Sequence, residues 1–240
     1  MLMYVVTGGG TGLGRAIALE LDRNKERVLI TGRREAPLAA VARETDGRIG
    51  YLAGDNAEPA VARELAAAVT EPVQGLIHCA GGNPAIGRDD PDGLDEVAAL
   101  LDETVAGNLR SAALTVTTLD EHLAADASVV LFGSIAAERG VGFYGPAKAA
   151  VASYAVGLAG QLGARGIRVN CVSPGYIAET EFFGGGLSAE REETLREQTA
   201  LGRVGVPADA VGLVMFLLSP AARHVTAQTL HLNGGAHPTR

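Results

Sequence analysis

Met3-Tyr4-Val5-Val6-Thr7-Gly8-Gly9-Gly10-Thr11-Gly12-Leu13-Gly14, followed by Arg15-Ala16-Ile17-Ala18-Leu19, is the stretch on which the fold turns. A short apolar run passes into a glycine turn and then into helix formers. Such a run, bounded by turn residues, reads as a buried strand. Glycines let a backbone approach a ligand closely. The N–H groups at a helix start favour anions. The stretch therefore reads as a strand, turn and helix that cradle a diphosphate, with Gly8, Thr11, Gly12, Leu13 and Gly14 against it. The spacing is Gly-x-x-x-Gly-x-Gly. It differs from the Gly-x-Gly-x-x-Gly dinucleotide fingerprint and from a P-loop, which needs Gly-Lys and then Ser or Thr.

The same alternation continues outward. Strands are expected at 3–7, 27–31, 49–53, 75–79, 128–132, 168–172 and 229–232, and helices at 12–24, 36–44, 58–69, 94–119, 144–162 and 207–218. Several strand candidates are continuously apolar, as strands covered on both faces should be. Strands alternating with helices imply an α/β fold: a doubly wound, seven-stranded parallel sheet between two helical layers. No repeat or linker divides the chain, so residues 1–240 are expected to form one domain. The rhythm breaks between Gly175 and Leu201, where Phe182-Phe183-Gly184-Gly185-Gly186 precedes a charged helical run. A stretch of that kind is expected to form a lid over the substrate, at about 175–201, with a flexible glycine tip.

Composition narrows the function classes. The chain has 240 residues, 47% of them hydrophobic, which is ample for a core and excludes disorder. A net charge of −8 argues against a nucleic-acid partner. No apolar run is long enough for a bilayer, and the N-terminus lacks the pattern of a secretory signal. Cys79 and Cys171 each end an apolar run. They read as buried, reduced thiols in a cytoplasmic protein, with no disulfide and no metal. The five histidines show no ligand spacing.

The second strand candidate ends Thr31-Gly32-Arg33-Arg34. An acid at Gly32 would accept hydrogen bonds from an adenosine ribose. Two guanidinium groups suit a 2′-phosphate instead, which favours NADP(H) over NAD(H), with Arg33 first and Arg34 second. After the third strand, Asp55, with Asn56 beside it, would meet the adenine or cap the helix near Ala57.

Tyr144-Gly145-Pro146-Ala147-Lys148 carries the chemistry. Four residues make about one helical turn, so phenol and amine share a face. A nearby ammonium favours phenolate, and a lowered pKa would make Tyr144 a proton donor and acceptor near neutral pH.

With these motifs in order, the chain resembles the short-chain dehydrogenase/reductase family in its short, single-domain subtype. The resemblance rests on Thr7 to Gly14, Ala80-Gly81, Asn108, Ser134, Tyr144-x-x-x-Lys148, Pro174-Gly175 and Asn233-Gly234-Gly235. It implies a three-layer Rossmann fold and hydride transfer between a nicotinamide and a ketone or alcohol. By that resemblance Tyr144 exchanges the proton and Ser134 polarises the substrate oxygen. Lys148 lowers the Tyr144 pKa and holds the nicotinamide ribose, and Asn108 holds a water that joins Lys148 to solvent. Ala80, Gly81, Pro174, Gly175 and Ile177 would line the dinucleotide, with Thr180 at its amide or diphosphate. Three places depart from the pattern. Cys79 stands where the family carries Asn, the interval from Ser134 to Tyr144 is short, and Ala227 replaces a usual Gly. The resemblance also implies pairing of copies, as a dimer or homotetramer. The nearly all-apolar run 147–162 agrees, because it leaves no polar outer stripe.

Tyr176, Phe182 and Phe183, with Ser134 and Tyr144, would contact the substrate. An apolar ligand such as a cyclic or polyketide-like ketone is the expectation. Two other readings compete: an NAD-dependent enzyme of the same fold, and a dinucleotide-sensing regulator without turnover, which would be expected to lack the Tyr or the Lys.

Overall fold

The computed structural model describes residues 2–184 and 187–238. Gly185 and Gly186, where the flexible tip is expected, lie outside the described residues. Strands β1 (Met3–Thr7), β2 (Arg27–Gly32), β3 (Ile49–Ala53), β4 (Val73–His78), β5 (Leu123–Phe132), β6 (Arg168–Pro174) and β7 (Thr229–Leu232) form one sheet of order β3-β2-β1-β4-β5-β6-β7. Every neighbouring pair is parallel. The order reverses between β1 and β4, and a crevice opens there beyond the carboxyl ends of the strands. The helices are α1 (Gly12–Arg23), α2 (Glu35–Glu44), α3 (Pro59–Ala68), α4 (Gly93–Val105), α5 (Ser111–Leu119), α6 (Ala136–Arg139), α7 (Tyr144–Leu162), α8 (Ala189–Glu197) and α9 (Pro207–Leu218).

The sheet's two faces make two cores, because successive strand residues point in opposite directions. Val5, Leu76 and Val129 face α3, α5 and α7, where they meet Leu65, Val116, Val151 and Ala155. Their neighbours Val6, Ile77 and Val130 face α1, α2 and α9, where they meet Ile17, Leu38 and Leu217. This is the expected three-layer, doubly wound arrangement.

Two elements differ most from the expectation. The helix expected over 94–119 is α4 and α5 joined by one π-turn, Ala106–Arg110. Side chains compete there for helical carbonyls. Thr104 Oγ1 donates to Leu100 O, Asn108 Nδ2 to Thr104 O, and Ser111 Oγ to Gly107 O. The fifth strand starts at Leu123 rather than at 128, because Leu123 pairs with Val73 before the register shifts. Both cysteines are free, and Cys171 is buried. Ala227 has φ 57, the left-handed conformation in which a glycine carries no steric cost.

Candidate active site

The floor of the crevice starts at the glycine turn. Gly8 has φ 65, and a Cβ on Gly14 would stand 2.3 Å from the Gly8 carbonyl oxygen. Only glycine lets the first turn of α1 close onto the end of β1. Among the described residues no side chain caps α1, so its first N–H groups remain available to an anion. Gly8, Thr11, Gly12, Leu13, Gly14, Arg33, Arg34, Asp55, Ala80 and Gly81 line one cleft of about 1310 Å³. Asn56 also borders it, but its side chain serves the core. It accepts from Thr31 Oγ1 at 2.9 Å and donates to Thr115 Oγ1 at 3.3 Å. Asp55 Oδ1 accepts from Ala57 N at 2.9 Å in a turn ahead of α3, whose N-cap Glu58 makes no side-chain cap, so Asp55 does not cap the helix, contrary to the alternative expectation.

Ser134, Tyr144, Lys148, Pro174, Gly175, Tyr176, Ile177, Thr180, Phe182 and Phe183 line the same cleft. Ser134 follows β5 by two residues, and Tyr144 opens α7. Lys148, one turn on, is buried. Its Nζ donates to Phe132 O at 2.8 Å and lies 5.8 Å from the centroid of the Tyr144 ring. Asn108 lies behind this surface, buried in the π-turn. It donates to Gly82 O and Thr104 O, and its Oδ1 accepts from Gly82 N at 3.1 Å. A Cβ on Gly81 would meet Asn108 Oδ1 at 2.6 Å and Lys148 Nζ at 3.1 Å, so amide and ammonium face one point beside the chain.

The electrostatics correct one expectation. Burial pushes the Tyr144 phenol up to about 12, with the Ser134 hydroxyl pulling the other way. Burial also pushes the Lys148 ammonium down, to about 8. The lowering by Lys148 that the spacing suggested is absent: Ser134 alone opposes the burial of the phenol, and desolvation wins. The phenol is therefore protonated across the neutral range, the state that donates a proton.

A second set of residues was not legible in the sequence. Ala80 N donates to Thr7 Oγ1 at 3.0 Å; because Ser111 gives its proton to Gly107 O, the neutral His78 ring donates from Nε2, and its Nδ1 accepts from Thr7 Oγ1, 3.0 Å away. His78 Nε2 then donates to Ser111 Oγ at 3.2 Å, and Ser111 donates to Gly107 O at 2.8 Å. The chain ties β1 and β4 to the π-turn that holds Asn108. At Cys79 the backbone N–H donates to Thr7 O, and the side-chain tie is made by His78, one residue earlier. Burial pushes the imidazole down to about 3, so it is neutral. Signals of this kind are absent from a lone His in an apolar run.

The roof is the segment after β6. Phe182 packs 5.7 Å from the Tyr144 ring and 4.9 Å, edge-on, from Phe183, and Phe183 packs 5.7 Å from Tyr176. Arg34 Nη2 reaches across the cleft to Glu181 Oε2 at 2.5 Å. The short interval between Ser134 and Tyr144 is filled by α6, whose Arg139 donates to Gln198 Oε1 and Ala236 O. No group of three or more metal-ligating side chains occurs among the described residues. The cleft fits a dinucleotide: uncapped N–H groups and two arginines lie at one end, and a phenol, a hydroxyl and an amine converge at the other.

Comparison with known proteins agrees. The family described as enoyl-(acyl carrier protein) reductase matches residues 8–237. A cyclohexanol dehydrogenase from Rhodococcus sp. (strain TK6) is 33% identical, over 96% of this chain and 94% of its own. An NADPH-dependent aldehyde reductase 2, chloroplastic, from Arabidopsis thaliana is 30% identical over 96% and 92%. A solved short-chain type dehydrogenase/reductase from Mycobacterium ulcerans superposes with TM-score 0.86 at 31% identity, covering 98% of this chain and 89% of that one. The chain thus belongs to the short-chain dehydrogenase/reductase family, oxidoreductases that work with nicotinamide cofactors.

Proposed function

We propose that the protein is an NADP(H)-dependent carbonyl reductase or secondary alcohol dehydrogenase acting on a ketone/alcohol pair. The observation that carries this reading is the buried Tyr144–Lys148 pair opening, with Ser134, onto the cleft that also holds the glycine turn and Arg33. A bound nicotinamide supplies or accepts the hydride. Gly8 to Gly14 would hold the diphosphate, Arg33 and Arg34 the 2′-phosphate, and Lys148 the ribose.

The chain's own residues handle the proton. Reduction of a carbonyl leaves an alkoxide, which needs hydrogen-bond donors and then a proton. The Ser134 hydroxyl donates to that oxygen, and Tyr144, protonated because burial raises it to about 12, delivers the proton. Phe182 and the Tyr144 ring, 5.7 Å apart, make an apolar wall that excludes water from the substrate side. Asn108 and the His78 chain position the floor beneath Lys148. The segment 175–201 walls the substrate. A relative printed as NADPH-dependent and another that acts on cyclohexanol support the cofactor and the substrate class. The protein works as a homo-oligomer in the cytoplasm, paired through the outer face of α7, where Val156 is half exposed.

Tyr144→Phe tests the chemistry. Its kcat for NADPH-driven ketone reduction is expected to fall by about 10²–10⁴-fold while NADPH affinity holds. Retained turnover would sink the proposal. Equal affinity for NADPH and NADH would remove its cofactor half.

A further inference from the structure

Arg34 and Glu181 are 147 residues apart, yet they meet at 2.5 Å above the cleft that both line. Glu181 opens a single 3-10 turn, Glu181–Phe183. Three contacts converge on that turn. Thr180, just before it, lies against the phosphate turn: a Cβ on Gly12 would be 3.7 Å from the Thr180 side chain. Glu181 holds Arg34. Phe182 packs on the Tyr144 ring. Glu179 and Gly184, with φ 59 and 69, bracket the turn.

We propose that Glu181 is a specificity-determining residue that competes with the dinucleotide's 2′-phosphate for Arg34. The inference rests on the NADP(H) reading above. A guanidinium grips one carboxylate or one phosphate in its fork, not both at full strength. Arg33 forms no salt bridge among the described residues, and the nearby Glu103 carboxylate is held by Arg88, so a phosphate meets Arg33 without breaking a salt bridge. Arg34 gives its Nη2 to Glu181, so a phosphate takes the whole fork only by displacing that carboxylate. A phosphate group near −2 also repels the carboxylate left beside it. NADH brings only a neutral 2′-hydroxyl to this place and leaves the pair intact. Glu181 therefore narrows the preference that the two arginines create. Phe182 follows directly in the chain, so release of Glu181 also reaches the ring beside Tyr144.

The test is Glu181→Gln in the full chain, titrated with NADPH and NADH by nicotinamide fluorescence without substrate. The side chain is exposed and keeps its size, so folding is preserved, and a thermal melt checks that it is. NADPH should bind about three- to tenfold tighter, the scale of an exposed charge pair plus the repulsion it removes, while NADH stays within about twofold. The gain should shrink as salt rises. It should vanish when Glu181→Gln is made on top of Arg34→Gln, as coupling between the two residues requires. Equal tightening of both cofactors, no change in either, or a gain that survives Arg34→Gln would overturn the proposal. The two readings fail separately. A wild type that favours NADH but gains NADPH affinity in Glu181→Gln upholds the role of Glu181 and removes the NADP(H) reading. A wild type that favours NADPH and is unmoved by Glu181→Gln does the reverse.

Discussion

On the floor of the cleft Tyr144 is 7% exposed and Lys148 4%. Their neighbours Asn108 and His78 are tied by buried hydrogen bonds. On the roof Phe182 is 39% exposed, and the Arg34–Glu181 pair that spans the cleft is open to solvent. Buried, fully partnered polar groups are costly to disturb, whereas exposed ion pairs are worth at most about 1 kcal/mol. The floor can therefore hold reacting groups to a fixed geometry. The roof can be exchanged or moved with little effect on the fold. Changes on the floor should be felt in stability and binding together, and changes on the roof in binding alone.

Gly14→Ala should give the largest effect. The added methyl meets the Gly8 carbonyl at 2.3 Å, and that atom is backbone and cannot turn aside. Stability should fall by roughly 3 kcal/mol, the upper range for an overpacked site, and dinucleotide affinity should fall with it. Urea melts and NADPH titration measure both, and a variant that loses neither would mean the floor is as tolerant as the roof.

The His78 chain comes next. Its imidazole titrates at about 3 in the folded protein against 6.5 ordinarily. Between those values the unfolded chain binds more protons, so stability falls as pH falls from 6.5 toward 3. From pH 7 to pH 5 this amounts to about 2 kcal/mol. Urea midpoints should record it, and His78→Asn should remove most of that slope. An unchanged slope in the variant would show that other groups govern acid stability.

Phe182→Ala should be the smallest in stability, within about 0.5 kcal/mol, as for exposed positions. Its signature should lie in a several-fold rise in KM with kcat nearly held. A melting temperature lowered as far as that of Gly14→Ala would break the contrast between the two regions.

Much of the fold was legible because its signals are local. The boundaries of β1, β3, β7, α7 and α9 fall where apolar runs meet turn residues. The residues of the glycine turn, Arg33, Ser134, Tyr144 and Lys148 do line one cleft, as strand ends in a parallel sheet must. The π-turn at Asn108 escaped, because side chains that compete for carbonyls leave the apolar period almost unchanged. Asn56 carries a side chain suited to a ligand, and only packing shows that it turns toward Thr31 and Thr115.

By itself the sequence determined which segments become strand, turn and helix. It also placed a phenol and an amine on one face of one turn, since helical and strand periods depend on neighbours along the chain. The tertiary structure alone decided that Tyr144 is protonated, that His78 is neutral and that Arg34 is held by Glu181. Desolvation and long-range pairing depend on which groups the packing brings together, and no spacing along the chain encodes that.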